Sequence, residues 1–141
     1  MHLPNHQKIV AIDFDGTIVK DMYPKIGAPQ LFAFDTMKKM QKNGYRLILW
    51  TLREGGKLQE AVDFCEKNGV EFYAVNKNYP EEKLDQKTIR KIHADIFIDD
   101  RNIGGFIGWG HIHNLLFGQS DLPLKNKKKG FFSFFKRSGQ K

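Results

Sequence analysis

Two aspartates one residue apart, Asp13 and Asp15, close the apolar run KIVAIDFDG (Lys8–Gly16). A second pair, Asp99 and Asp100, closes ADIFIDD (Ala94–Asp100), and Thr51 closes YRLILWT (Tyr45–Thr51). Carboxylates that end apolar strands must reach the sheet's edge or find partners, because a buried unpaired carboxylate is very costly. Four of them converging would repel one another unless a cation sits among them. Hard oxygen ligands suit Mg2+, which keeps several waters and takes one or two carboxylates plus a substrate phosphate. Each motif also has a plainer reading. Asp-x-Asp-Gly is often a simple turn, and Asp99-Asp100 could equally cap a helix. Their joint placement favours the chemical reading.

Such convergence requires strands that end on one side of a sheet. The runs at Lys8–Gly16, Tyr45–Thr51, Val70–Asn76 and Ala94–Asp100 are short and apolar, as buried parallel strands are. Between the first two lies a loop or small flap, Val19–Gln30, with two prolines and a glycine. A helix is expected over Gln30–Asn43, with Phe34 and Met37 at helical spacing and Gly44 as its stop. A second is expected over Gly56–Lys67, with Leu58, Ala61, Val62 and Cys65 on one face and Gly69 ending it. A third should start after Pro80 and lead into the last strand, and HIHNLLFG should add a short final element. Strand and helix alternating in this way specify an α/β fold, a mainly parallel sheet with crossover helices. Active sites of such sheets form outside the carboxyl ends of the strands.

The runs DFDGT (Asp13–Thr17), LILWT ending at Thr51 and IFIDD (Ile96–Asp100) resemble, in order, three signature motifs of the haloacid dehalogenase-like phosphatases. The resemblance covers roughly residues 8–110 and implies a Rossmann-like three-layer sandwich with the acid pair on its central strand. It implies that Asp13 attacks phosphorus to form an aspartyl-phosphate. Asp15 would protonate the leaving oxygen and then deprotonate the hydrolytic water. Thr51 would hydrogen-bond a phosphoryl oxygen. Asp99, with Asp100, would complete a Mg2+ site with Asp13 and the backbone carbonyl of Asp15. An aspartate at position 15 favours phosphate transfer over carbon–halogen or carbon–phosphorus cleavage. A carboxylate nucleophile divides one hard displacement into two easier ones, and the phosphate charge needs a metal and a cationic side chain.

The family's phosphate-contacting lysine has two candidates. Lys77 follows the third strand and stands 22 residues before Asp99. Lys91, in RKIHADIFIDD, resembles a lysine position of small capless relatives. Lys77 ranks first, and Lys83 and Lys87 read as solvated helix charges. Gly16 and Thr17, the tight exit from the first strand, count with Arg53 and Arg101 as candidate substrate contacts. For the two arginines an ordinary surface ion pair is the favoured alternative. His111 and His113 read as surface histidines, and Trp50 and Cys65 as core.

Thirty-five residues separate Asp15 from Thr51, and fewer separate Thr51 from Lys77, so neither interval holds a cap domain. An open site suits a macromolecular phosphoester or a small substrate screened by oligomerisation. The expected domain spans residues 1–121, where 16 Lys and Arg balance 16 Asp and Glu. The net charge of +7 thus resides in a tail, residues 122–141. Within it, residues 125–137 interleave lysines and an arginine with Phe131, Phe132, Phe134 and Phe135. This stretch resembles the effector region of the myristoylated alanine-rich C-kinase substrate proteins. It could bind an anionic membrane surface or single-stranded nucleic acid, or be a solvated extension.

Composition is that of a soluble globular chain, 40% hydrophobic and 28% charged. One cysteine excludes an internal disulfide, and MHLPNHQK lacks the features of a secretory leader. The expectation is a cytoplasmic protein, peripheral to membranes if the tail binds them. The leading functional reading is a Mg2+-dependent phosphomonoester hydrolase acting on a phosphorylated substrate. The alternatives are a catalytically weak scaffold recruited by its tail, or a phosphatase of nucleic-acid ends.

Overall fold

A computed structural model describes residues 7–83 and 91–118. Four parallel strands form the sheet: β1 (Ile9–Ile12), β2 (Arg46–Leu49), β3 (Ala74–Val75) and β4 (Ile96–Ile98). Their order is β3-β2-β1-β4, with Val10 opposite Leu47 on one side and Ile96 on the other. The chain thus leaves β1 towards one edge and returns to its other side with β4. Between β1 and β4 lies the point where strand order reverses, the usual place for a ligand crevice in an open α/β sheet.

Alternation along the strands divides the core. Val10, Ile12, Leu47, Leu49 and Ile98 point to one face and are buried there with residues of three helices, α1 (Ala33–Lys42), α2 (Gly55–Lys67) and α3 (Trp109–Phe117). Met37 and Met40 of α1, Ala61 and Cys65 of α2, and Trp109 of α3 supply the opposing surface. Each fully buried Leu, Ile or Met contributes on the order of 2 kcal/mol, and among the described residues this face holds most of them. Phe64 of α2 meets Phe14 and Phe34 edge to face, at 6.4 and 5.9 Å. The opposite face is smaller: Ala11, Ile48 and Ala74 cluster with Ile92. This is an α/β, Rossmann-like fold.

Both early helices stop where glycine permits a left-handed turn, Gly44 at φ 87° and Gly69 at φ 88°. Helix α2 starts one residue before its expected position and α1 three residues later. The expected strand Val70–Asn76 is reduced to two residues at the sheet's edge. Val70 is instead drawn back, its N–H donating to Cys65 O at 2.9 Å, which delays pairing until Tyr73 N reaches Leu47 O. The helix expected after Pro80, the source of a third layer, falls largely on residues 84–90, outside the described residues, as do Lys87 and the tail. Residues 81–83 and 91–93 are not helical. Between Asp15 and Thr51 the chain holds a looped flap, α1 and β2. Among the described residues no helix is long and apolar enough to cross a membrane.

Candidate active site

Strand β1 ends at Ile12 because the next residue's side chain is a carboxylate at the sheet's upper edge, although the ladder continues through Asp13 N to Ile98 O at 3.0 Å. Phe14 is fully buried and pins the chain to the helical face, which leaves Asp13 and Asp15 on either side of it at the strand's exit. One helical turn follows, with Thr17, Ile18 and Val19 all donating to Phe14 O. At Gly16 φ is +88°, and a Cβ there would collide with the Asp100 carboxylate. Glycine therefore serves twice, once for the turn and once to let the β4 acid close over it.

Asp13, Asp99 and Asp100 offer carboxylate oxygens that all lie within 4.8 Å of one another. The Thr17 hydroxyl donates to Asp13 Oδ2 at 2.9 Å and lies 3.5 Å from Asp100 Oδ1. Thr17 is itself fully buried, so it orients the acids and does not face the cleft. Trp109, on α3, donates its indole N–H to Thr17 O at 2.7 Å and locks that turn from behind. Burial pushes the Asp13 carboxyl up to about 7, and the nearby Asp99 and Asp100 charges add to this while the Thr17 hydrogen bond opposes it. A site that penalises the charge on Asp13 in this way, with only hard oxygen donors around it, fits a small divalent cation.

Asp15 is held differently. Arg53 Nε donates to its Oδ2 at 2.7 Å and Nη2 to its Oδ1 at 2.8 Å, a two-pronged fork. The same guanidinium donates to the carbonyls of Lys57, in the first turns of α2, and Lys25, in the flap, at 3.3 and 3.0 Å. Its planar face lies 5.1 Å from the Phe14 ring centroid and 5.0 Å from that of Tyr23. Arg53 is 2% exposed, so the expectation of a surface ion pair is corrected. The hydrogen bonds it donates to Asp15 raise the arginine further above its ordinary range. The flap itself is ordered: Val19 pairs with Pro29, and Lys20 N donates to Ala28 O at 2.8 Å.

The remaining candidates divide between cleft and elsewhere. A cleft of about 650 Å³ is lined by Asp13, Asp15, Thr51, Arg53, Asp99 and Arg101, among others. Thr51 N donates to the Asn76 side chain at 2.8 Å, and its hydroxyl accepts from Arg53 N at 3.1 Å. Arg101 is exposed, with its N–H on Asp99 Oδ1 at 2.8 Å. Lys77, though just past β3, does not line the cleft. Nor does Lys91, whose ammonium sits 4.9 Å over the Phe97 ring. Proximity in sequence to a strand end does not turn a side chain towards the site.

Comparison with known proteins brings the chain a relative. No family model matches the chain, and no curated protein does. A solved structure, that of a conserved protein from Bacteroides thetaiotaomicron, is 50% identical over 79% of this chain and 90% of that one, with a TM-score of 0.73. The chain belongs to that protein's family. The relative is described as conserved and nothing more, and an activity must be argued from the geometry.

In this member of the family, two supporting residues escape sequence reasoning. Asn76 holds the backbone of Thr51 from a left-handed conformation, φ 56°; asparagine's tolerance of that conformation is the signal that could have marked it. Trp109 lies in a glycine-rich stretch and carries no local signal. The histidine reading is also corrected. His113 is buried on α3 and tilted against Phe117 at 5.2 Å, whereas His111 is exposed, because residues two apart on a helix face different ways. Trp50 is only half-buried, packed against the Ala11–Ile48 cluster while lining the cleft. Cys65 is core, its thiol pushed up to about 12 by burial.

Proposed function

We propose that this protein is a Mg2+-dependent phosphomonoester hydrolase with Asp13 as nucleophile. The observation that carries the reading is the group of three carboxylates, Asp13, Asp99 and Asp100, with oxygens within 4.8 Å. They stand at the carboxyl ends of β1 and β4, where strand order reverses. Asp15 stands two residues from the nucleophile on the same exit turn, lining the same cleft. A structural turn would need neither a buried threonine bridging two acids nor a glycine cleared for one of them. Asp13, Asp99 and Asp100 would hold the cation, which would neutralise charge on the carboxylates and the phosphoryl oxygens.

The chain's own groups then have distinct tasks. An Asp13 oxygen attacks phosphorus and the bond to the leaving oxygen breaks. The leaving oxygen takes the electron pair and a proton from Asp15. Water attacks the aspartyl-phosphate, gives its proton to Asp15 and releases inorganic phosphate and the free Asp13 carboxylate. Arg53 fixes the plane of the Asp15 carboxyl group in the resting site. Thr51 lies at the end of the neighbouring strand with its backbone fixed by Asn76, placed to meet a phosphoryl oxygen. Arg101 is the cleft cation not committed to a buried partner, and it takes the part sought for a lysine.

Hydrolysis of p-nitrophenyl phosphate by wild type, Asp13→Asn and EDTA-treated protein tests the proposal. Turnover should need added Mg2+ and vanish in Asp13→Asn, whose melting curve stays cooperative. Turnover persisting in Asp13→Asn would remove the nucleophile assignment.

A further inference from the structure

The three acids occupy one end of a cleft far larger than a phosphate. At about 650 Å³ it falls in the range of sites that enclose a whole organic ligand. Its other walls are of a different character. Trp50 precedes Thr51 directly and shows the cleft the side of its indole that is not packed on the sheet. Leu52 is 88% exposed and Tyr23 57% exposed, both on the cleft. Large apolar side chains left in water beside a polar site are informative, since solvation disfavours them and packing does not require them. Tyr23 is also held in place. The Arg53 guanidinium lies against its ring at 5.0 Å, and its N–H reaches Asp21 Oδ1 at 3.3 Å. Polar side chains on this outer wall are few: Asp21 and Arg101.

From these walls we infer that the cleft takes a nucleoside 5′-monophosphate, with the base against Trp50, Tyr23 and Leu52. The inference rests on the hydrolase reading for the position of the phosphate. A bare sugar phosphate would leave its hydroxyls facing aromatic and aliphatic surface with few partners. A planar base covers that surface and gains by stacking on it. The Asp21 carboxylate at the rim is a suitable acceptor for ribose hydroxyls. The base would approach through the open mouth, consistent with the exposure of Leu52 and Tyr23.

The decisive comparison is AMP against ribose 5-phosphate, which release the same 5′ oxygen and differ by the base alone. With Mg2+, kcat/KM for AMP should exceed that for ribose 5-phosphate about tenfold or more, the scale of one stacked base. That ratio should fall towards one in Leu52→Ser, a substitution at an 88% exposed position that the fold tolerates, and in Trp50→Ala. Binding supplies a second readout, independent of turnover. The chain has two tryptophans, and Trp109 is 1% exposed, so a quencher in solution meets Trp50. AMP should quench this fluorescence in Asp13→Asn, and ribose 5-phosphate should not. Equal kcat/KM for the two compounds, or equal quenching, overturns the nucleotide inference. Acetyl phosphate separates the two ideas: if it is hydrolysed while AMP shows no advantage, the hydrolase reading stands alone. If acetyl phosphate is not hydrolysed and AMP still quenches, the base-binding wall stands and the hydrolase reading falls.

Discussion

Replacing Arg53 with methionine keeps the length of the side chain and removes the charge. The fork to Asp15 joins side chains that are 1% and 16% exposed, so the carboxylate left behind has little water to replace its partner. Breaking a buried ion pair from one side costs about 3–5 kcal/mol, and Asp15's residual exposure puts the expectation near the lower bound, about 3 kcal/mol. The Lys25 and Lys57 carbonyls also lose a donor, though both residues lie near solvent and water takes up most of that loss. For a domain of this size such a change lowers the melting temperature by roughly 10 °C. Urea and thermal melts at pH 7 of Arg53→Met, Asp15→Asn and the double variant form a cycle. The double variant should recover part of the loss, since neither a guanidinium nor a carboxylate then remains unpaired, and the coupling should reach about 2 kcal/mol. A loss below about 1 kcal/mol in Arg53→Met, or strict additivity in the cycle, would refute the view that this arginine clamps Asp15 and the flap.

Asp13 gives a pH signature in metal-free protein. Its carboxyl lies at about 7 in the folded state against an ordinary 3.8, so between those values the native state holds a proton that the unfolded chain has lost. Its contribution to stability therefore falls as pH rises from 3.8 to 7 and levels off above. Urea melts across that window should show the wild type losing stability relative to Asp13→Asn; a relative gain would contradict the assignment. Among the cations, Arg101→Ala should lower kcat/KM on p-nitrophenyl phosphate by about tenfold or more, the worth of a lost charge contact in a partly open site. Lys77→Ala and Lys91→Ala should change it by less than about threefold, and the reverse ranking would return the phosphate contact to a lysine.

Sequence pattern reached the sheet because its strands are short, apolar and closed by acids, and because Gly44 and Gly69 mark where helices must stop. Asp13, Asp15, Thr51 and Asp99 come to one cleft for the same reason: polar groups at the ends of buried strands have one place to go. What it missed depends on direction and burial. Arg53 and Arg101 each stand just beyond a strand-end motif, yet one is enclosed by Phe14, Tyr23 and two backbone carbonyls while the other faces solvent. Nothing in the local pattern separates them. Lys77 has suitable spacing to Asp99, but spacing along a chain says nothing of where a flexible side chain points. His113 became a core residue because its segment is helical, and the strand spacing that pairs it with His111 does not apply there.

The disposition of charge at the strand ends decides what kind of catalyst this chain could be. Among the described residues Arg53 is the one buried guanidinium or ammonium, and its fork is committed to Asp15. Asp13, Asp99 and Asp100 share the Thr17 hydroxyl and the Arg101 N–H, both neutral donors. Burial, with the Asp99 and Asp100 charges adding to it, already pushes the Asp13 carboxyl up to about 7. Bringing a phosphate dianion beside them would raise the repulsion further, and an exposed arginine at the rim is too well solvated to offset it alone. On the proposed reading the missing charge must come from a bound divalent ion. The arginine then serves the step that the ion cannot, by holding an acid in place to move a proton. A variant that turned Arg53 towards the phosphate would gain charge neutralisation and lose the orientation of Asp15.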